Sequence, residues 1–494
     1  MENDIKKPIA CQENMQVEPS TKLFTLSEFR RELGIPLILA KKLIVWGEIN
    51  AVRAYDGTLR ITAPEVAIAK KIIGTPFNKA RLFLKALGPG LITGASDDDP
   101  SGIGTYSAVG ATFGLSILWM AAWLLPVMTA IQEVCARIGV VTNKGLAGVL
   151  KTHYNRKVMF GVISLLIIAN VVNIGADLGA MAASIGMFTQ TNFYIIIALL
   201  ALGIMLLEIF VQYHLYVRML KFLAISVFAY VVTGFLIHPD WITIFKNAFI
   251  PHVLFNQQYL FAMVAVFGTT ITPYLFFWQA SEEVEENKFF KTKFKLCGKK
   301  GMRSRMSHMR TDVYTGMILA NVVFFFIVLT TAQVLFANGI TNINSAQEAA
   351  LALAPLAGKH AAILFTLGII GTGLLAVPVL AGSGAYALAE ILDLKEGLEL
   401  KFLQAKGFYF VIILSILFGA LFNFFHINPI SALYYAAFLN GVIATPLIYL
   451  IMKIGDDPKI MGEERHPAWV KFFGWFAFAA MLVSIVSMIF LSIF

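Results

Sequence analysis

The sequence predicts an all-α membrane protein with eleven transmembrane helices and a small N-terminal cytoplasmic domain. Of its 494 residues, 58% are apolar and only 14% are charged, and the mean hydropathy is +0.74. These values lie outside the range of soluble globular domains. Apolar stretches of about 20 residues, enough to cross a bilayer, recur from residue 86 onwards. Two of these stretches contain residues that interrupt helices, which is typical of transporters with inverted repeats.

The first 80 residues differ in kind from the rest. The segment "FTLSEFRRELGIPLILAKKLIVWGEINAVRAYDGTLRITAPEVAIAKKII" predicts two helices, a short hairpin around Asp56-Gly57 and a closing helix. This order resembles that of excisionase-like and MerR-like winged helix-turn-helix domains. We expect 1–80 to be a regulatory or packing module, with nucleic acid as the less favoured partner, and 81–494 to be the transmembrane domain. The start of the chain lacks the apolar core of a secretory signal, so it is expected to stay in the cytoplasm.

Eleven spans follow the module. They are predicted at 86–111, 113–138, 157–187, 192–211, 216–238, 257–286, 312–337, 359–391, 405–425, 430–453 and 468–492. Nine Lys and Arg and no acid lie between Lys288 and Arg310, which places the 287–311 loop in the cytoplasm under the positive-inside rule. The same rule predicts a cytoplasmic N-terminus and an outside C-terminus, in a bacterial inner membrane. The oligomeric state does not follow from the sequence.

The first span carries three consecutive acids, Asp97, Asp98 and Asp99, in "GASDDDPSGIGTYS". Carboxylates inside a membrane are costly and mark ion or substrate paths. Pro100 and Gly102 follow at once and favour a broken helix, whose free carbonyls beside a carboxylate suit a hard cation. The sixth span has a second break at "FGTTITPY", where Gly268 and Pro273 enclose three threonines. Two breaks five spans apart predict a site between them at the membrane midplane.

These two motifs resemble those of the Nramp family of divalent-metal transporters, and most closely its magnesium-transporting branch. The family pattern GPG, eight residues, Asp-Pro-Gly-Asn appears as "GPGLITGASDDDPSG", and Gly-Ala-Thr-Val-Met-Pro-His appears as "GTTITPY". The resemblance covers about residues 80 to 494. It implies a leucine-transporter-type fold of five spans and five inverted spans, with the first and sixth helices broken, plus one further helix. It also implies a transporter rather than an enzyme, without a cofactor.

The resemblance further implies a ligand set for the transported ion. The family's aspartate, asparagine and methionine positions correspond to Asp99, Gly102 and Thr272, and its two backbone carbonyls to Ser96 and Thr269. Loss of the amide and of the thioether leaves oxygen ligands and a wider site. Oxygen ligands suit Mg²⁺ or Mn²⁺, and Mg²⁺ normally keeps several waters. We therefore expect a partly hydrated Mg²⁺ as the substrate, with Mn²⁺ as a second one.

Proton coupling is expected to be absent. The acidic pair of the family's third span corresponds to Ile174 and Asp177, and its two sixth-span histidines correspond to Tyr274 and Gln279. Groups that titrate near neutral pH are therefore scarce along that path. Asp177 itself has two interpretations, as a partner of the cation or as a structural carboxylate.

Three further residues are candidates for the cation path. Glu282 and Glu283 close the sixth span, either as an inner vestibule that attracts cations or as a solvated helix end paired with the following lysines. Asn440 lies near a family amide that lines the site. Two alternatives to Mg²⁺ transport remain open. One is a proton-coupled Mn²⁺/Fe²⁺ importer, and the other is a membrane-tethered ion sensor whose N-terminal module binds DNA.

Overall fold

The structure, a computed structural model, describes residues 23–45, 48–53, 59–76, 78–79, 82, 88–211, 225–294, 298–398 and 400–493. The predicted turn at Asp56-Gly57 and the first part of the predicted fifth span, 216–224, lie outside these residues. The chain divides into two compact units, one formed by 1–88 with 290–312 and the other by 89–289 with 313–494. The first unit thus includes a segment of the predicted 287–311 loop as well as the N-terminal region.

Among the described residues up to 88, the N-terminal unit contains a three-stranded antiparallel sheet and three helices. The strands are β1 (Leu23–Thr25), β2 (Val52–Arg53) and β3 (Leu59–Thr62), in the order β1-β3-β2, and the helices are α1 (Leu26–Glu32), α2 (Leu37–Val45) and α3 (Ala63–Ile73). Thr25 and Glu28 form a capping box that begins α1. Phe29, Leu39 and Ile61 are fully buried and form the centre of this unit. Lys41 donates a hydrogen bond to Ser304 Oγ at 2.5 Å, within the same unit.

The second unit is helical. Its helices, some of which extend into the first unit, are α4 (Pro89–Asp97), α5 (Pro100–Phe113), α6 (Trp119–Thr142), α7 (Leu146–His153), α8 (Arg156–Gly186), α9 (Phe193–Phe210), α10 (Ala229–Leu236), α11 (Trp241–Phe249), α12 (Gln257–Thr270), α13 (Pro273–Phe294), α14 (Gly298–Val334), α15 (Ala346–Ala350), α16 (Ala354–Ala357), α17 (Ala361–Leu392), α18 (Lys406–Phe422), α19 (Pro429–Asp456), α20 (Pro458–Met461) and α21 (Ala468–Ile493). Within the described residues, nine helical segments are long and apolar enough to cross a membrane. The first predicted span, formed by α4 and α5, is not among these nine because it carries three consecutive aspartates.

Burial separates central helices from peripheral ones. In the α12–α13 segment 94% of the most apolar window is buried, whereas in α21 only 22% is. Large apolar side chains of the peripheral helices are exposed, among them Phe210, Phe410 and Phe472. Exposed apolar surface of this extent fits lipid rather than water as the surrounding medium. The two broken helices therefore lie in a protein interior that lipid surrounds.

The predicted loop 287–311 is largely helical. Helix α13 continues to Phe294, and α14 begins at Gly298. Lys and Arg are good helix formers, so a run of positive charge does not by itself indicate a loop. The prediction of a loop at 287–311 is therefore wrong for the described residues of this segment.

Helices α4 and α14 touch through their backbones. A Cβ added at Gly94 would overlap the Gly316 backbone, and a Cβ at Gly316 would overlap the Gly90 carbonyl. Only glycine allows this approach, as in other helix pairs that pack through small residues. The contact positions the first half of the broken helix.

Gly316→Ala is expected to destabilise the protein by about 1–3 kcal/mol, the usual cost of overpacking. The measurement is thermal unfolding of the purified protein in detergent. Gly203→Ala on α9 is the matched control, because a Cβ there meets nothing within 4 Å and the change in helix propensity is the same. Equal unfolding temperatures for the two variants would contradict the close α4–α14 contact.

Candidate functional site

The first break separates α4 from α5. Helix α4 ends at Asp97 and α5 begins at Pro100, with Asp99 as its N-cap residue in extended conformation (φ −69°, ψ 172°). The backbone N–H of Gly102 donates to Asp99 Oδ1 at 2.6 Å. Proline at the first helical position has no N–H to satisfy, and an aspartate is a favoured N-cap, so this sequence begins a helix here. Asp99 is thus held at the positive end of a helix in the interior of the unit.

The second break separates α12 from α13. Helix α12 ends at Thr270, Ile271 leaves helical conformation (φ −126°, ψ 66°), and α13 begins at Pro273. The hydroxyls of Thr269 and Thr272 are buried and make no hydrogen bond within the described structure. These two hydroxyls are free to bind a ligand.

A tyrosine hydroxyl joins the two breaks. Tyr274 Oη donates to the Ser96 carbonyl at 2.7 Å and lies 3.4 Å from Asp99 Oδ2. Tyr274 is fully buried. The bond engages one side of the Ser96 carbonyl, which has a second lone pair for another partner. The sequence interpretation treated Tyr274 only as a replaced histidine and missed this bridge.

Oxygen atoms of both breaks converge at Gly102. A Cβ at this position would lie 3.0 Å from the Asp97 carbonyl oxygen, 3.5 Å from Asp99 Oδ1 and 3.5 Å from Thr269 Oγ1. Carbonyl, carboxylate and hydroxyl oxygens therefore surround one small region. An asparagine side chain at 102 would extend from this point, so glycine leaves room there.

Asp177 belongs to the same region. It lies on α8, is fully buried, and neither carboxylate oxygen makes a hydrogen bond within the described structure. It lies close enough to Asp99 for the two carboxylates to interact electrostatically, and the Ser101 N–H interacts with both. Two neighbouring carboxylates repel each other when both are ionised, unless a cation or a proton compensates their charge.

The three consecutive aspartates do not act as one cluster. Asp97 and Asp98 are buried, and each has one carboxylate oxygen without a hydrogen bond. Within the described ranges, no group of three or more His, Cys, Asp or Glu is arranged to hold a metal ion. A cation at this site would therefore be held by a mixture of carboxylate, carbonyl and hydroxyl oxygens rather than by a carboxylate triad.

Gln279 and Glu283 lie further along α13. Thr93 donates to Gln279 Oε1 at 2.5 Å, and Gln279 Nε2 donates to Glu283 Oε1 at 3.0 Å. These bonds connect α4 to α13. Glu283 is ten residues beyond Pro273, about 15 Å along the helix. It therefore lies well away from the two breaks, where Asp99 is.

Glu282 forms part of an acidic group near that end of α13. The Tyr386 hydroxyl lies 3.4 Å from a Glu282 carboxylate oxygen and 2.8 Å from Glu285 Oε1. In the loop after α17, burial raises the pKa of Glu396 to about 8, and the charge of Glu390 acts in the same direction. The structure thus brings acidic side chains from two helices and a loop together at this end.

Asn440 lies on α19 beside the end of α12. It is buried, and both polar atoms of its amide lack a hydrogen bond within the described structure. A Cβ at Gly268 would overlap the Ala437 carbonyl and the Gly441 N–H, so the backbones of α12 and α19 touch there. The contact places Asn440 next to the second break without assigning it a ligand role.

A buried ion pair was missed from the sequence. Arg137 and Glu133 on α6 form a salt bridge, and Tyr314 on α14 donates to Glu133 Oε2. Arg137 also donates to the carbonyls of Glu464 and Arg465 at 3.3 and 3.4 Å. The opposite charges four residues apart in a predicted span were the available signal.

The sequence of the chain is similar to those of known transporters. Residues 90–491 match the sequence profile of the family described as "Natural resistance-associated macrophage protein-like", or Nramp. A protein of Klebsiella pneumoniae called divalent metal cation transporter MntH is 26% identical over 417 residues, which are 82% of this chain and 93% of that protein. A protein of Yersinia pestis with the same name is 27% identical over 311 residues, 60% of this chain and 70% of that protein.

Solved structures agree on the fold. A manganese transporter of Eremococcus coleocola superimposes with a TM-score of 0.67 at 17% identity, over 84% of this chain and 88% of that one. The nucleobase-cation-symport-1 transporter Mhp1 superimposes with a TM-score of 0.51 at 12% identity, over 82% of this chain and 93% of that one. The family and the transporter fold predicted from the two motifs are confirmed, and these relatives are transporters rather than enzymes. The chain belongs to the Nramp family.

Proposed function

We propose that this protein imports Mg²⁺ as a partly hydrated ion by alternating access, with Mn²⁺ as a second substrate. The observation that carries the proposal is the convergence at Gly102 of oxygen atoms from Asp97, Asp99 and Thr269. The names of its relatives, divalent metal cation transporter and manganese transporter, support a divalent cation as substrate. The ion would cross a bacterial inner membrane from outside to the cytoplasm, through eleven helices of which ten form a five-plus-five inverted repeat.

The ligand set favours a hard, hydrated ion. Asp99 would supply the charge, with Asp177 at a second side, and Thr272 and the Ser96 and Thr269 carbonyls would supply neutral oxygens. Neither a thioether nor an imidazole is among these groups, so nothing in the set favours softer metals. The space left by Gly102 suits an ion that keeps waters, as Mg²⁺ does. Asp97, Asp98 and Asn440 would contact the water shell or the entry path, and Gln279, Glu282 and Glu283 would lie on the inner path.

Transport is proposed to occur without proton coupling. Where the family's imidazoles would be, Tyr274 bonds the Ser96 carbonyl and Gln279 bonds Thr93 and Glu283. Neither group exchanges protons near neutral pH in the way histidine does.

The experiment uses liposomes that contain the purified protein and two trapped dyes, one for Mg²⁺ or Mn²⁺ and one for pH. We expect an inward gradient of either ion to raise the metal signal while the internal pH stays constant. Protein-free liposomes are the control for leakage. Metal uptake accompanied by internal acidification would favour the proton-coupled Mn²⁺/Fe²⁺ importer, and uptake of neither metal would contradict the proposed function.

Residues 1–80 are proposed to form a cytoplasmic regulatory module. The order of α1, α2, the antiparallel pair β2 and β3, and then α3 supports a winged helix-turn-helix-like arrangement. Strand β1 adds a third strand to this sheet. Nucleic acid is not its expected partner, because the resemblance to DNA-binding winged helices has no motif that anchors it.

A further inference from the structure

Helix α8 carries a buried polar face. Asn170, Asn173, Asp177 and Ser184 are all at most 2% exposed. At 100° per residue these four positions fall within an arc of about 60°. A polar face of this length in a membrane helix requires partners, because lipid cannot satisfy it.

The face lies against α17. Asn170 Nδ2 donates to the Leu380 carbonyl at 2.8 Å and to Ser383 Oγ at 2.9 Å. At the other end, Thr366 Oγ1 donates to the Ser184 carbonyl at 3.3 Å. The two helices are therefore antiparallel.

Asn173 and Asp177 lie between these two contacts. The part of α17 between the same two contacts contains Pro378, which lacks a backbone donor and distorts a helix. A Cβ at Gly373 would lie 3.2 Å from Pro100 Cγ and would overlap Met181, one turn after Asp177. The face therefore passes the first break near Asp177 and continues from there toward the Arg156 end of α8 through Asn173 and Asn170.

Several polar atoms of this face make no hydrogen bond of normal geometry among the described residues. Asn173 Oδ1 and Nδ2, both Asp177 oxygens and Asn170 Oδ1 are buried without a hydrogen bond within the described structure. Each such group destabilises the folded protein unless something binds it. Packing against α17 accounts for the burial of Asn170 Nδ2, which donates hydrogen bonds to that helix. It does not account for the burial of the Asn173 amide.

We propose that Asn173, with Asp177 and Asn170 Oδ1, forms a second position for the transported cation, which it holds through the ion's water shell. The inference rests on the proposed function. Amide oxygens accept hydrogen bonds from metal-bound waters without adding charge, so the ion is oriented there but not trapped. Asp177 lies about 6 Å along α8 from Asn173. It would contact the ion both at the Asp99 site and at this second position. The second position thereby gives the ion its next contacts after it leaves Asp99.

The test compares Asn173→Val with Asn173→Thr, two variants of the same shape that differ by one hydroxyl. Uptake of Mg²⁺ and of Mn²⁺ is measured in dye-loaded liposomes, and thermal stability is measured in detergent. We expect N173T to keep at least about half of the wild-type Mg²⁺ rate and N173V to lose about tenfold, because one water-binding group is removed. Mn²⁺ uptake by N173V should fall by no more than about threefold, because Mg²⁺ is the ion that gives up its waters reluctantly.

Equal Mg²⁺ rates for the two variants would overturn the second position. An equal loss of Mg²⁺ and Mn²⁺ uptake by N173V, together with a lower unfolding temperature, would also overturn it. If N173V cannot be purified, Asn173→Ala and Asn173→Ser repeat the comparison with the same difference of one hydroxyl. Failure of the wild type to take up Mg²⁺ overturns the proposed function as well. Wild-type uptake with indistinguishable variants overturns the second position alone.

Discussion

Asp99→Asn is expected to reduce uptake of Mg²⁺ and Mn²⁺ by at least about a hundredfold, equivalent to roughly 2.8 kcal/mol. Asparagine keeps a carbonyl oxygen that can accept the Gly102 N–H, so the N-cap of α5 is retained. What the variant removes is the charge that balances a divalent cation in a buried site, where electrostatic interactions are strong. The measurement is initial uptake into dye-loaded liposomes at matched protein content.

Asp240→Asn is the matched control for this variant. Asp240 caps α11 in the same way, through a 3.0 Å bond from the Ile242 N–H, but its side chain is solvent-exposed. Its uptake should equal that of the wild type. Asp99→Ala, which loses the cap as well, should be inactive and also less stable, by about 1 kcal/mol. Wild-type uptake by D99N would contradict the assignment of Asp99 as the charged ligand.

The two helix breaks could be predicted from the sequence because their cause is local. Pro100 and Pro273 lack a backbone donor, and each begins a helix in the structure. Asp99 directly precedes the first of these prolines, so its N-cap position follows from the same rule. The candidate site was therefore located from two short motifs.

The contacts between the breaks could not be predicted in this way. Tyr274 and Ser96 are 178 residues apart in sequence, and their hydrogen bond depends on how α4 and α13 pack. The arrangement of Asp97, Asp99 and Thr269 oxygens around Gly102 depends on the same packing. A pattern of residue types states which groups are available, but not which of them face one another.

The acidic end of α13 shows a similar limit. The sequence left open whether Glu282 and Glu283 attract cations or pair with lysines that follow. In the structure Glu283 accepts from Gln279, and Glu282 lies beside Tyr386. Gln279 is on the same helix as Glu283, whereas Tyr386 is on α17, a partner for Glu282 that the sequence of one helix cannot reveal. Their role on a cation path remains a prediction.

Thr272→Met is expected to raise the ratio of Mn²⁺ to Mg²⁺ uptake by about tenfold. Thr272 lies in the second break, is 1% exposed, and its hydroxyl has no hydrogen bond within the described structure. A methionine sulfur in this position would favour a transition metal over Mg²⁺, which binds oxygen ligands. The longer side chain would also occupy space that a hydrated ion needs. The ratio is measured from initial rates for both ions with one preparation of liposomes.

Thr272→Val separates the two causes of this change, because it removes the hydroxyl without adding sulfur and keeps the side-chain shape. T272V should slow uptake of both ions by a similar factor, since each loses the same oxygen ligand. Only T272M should change their ratio. If T272V changes the ratio as much as T272M does, then the lost hydroxyl decides selectivity and ligand softness does not. If neither variant changes the ratio, position 272 does not select the ion, and ligand softness at the second break is ruled out as the cause of selectivity.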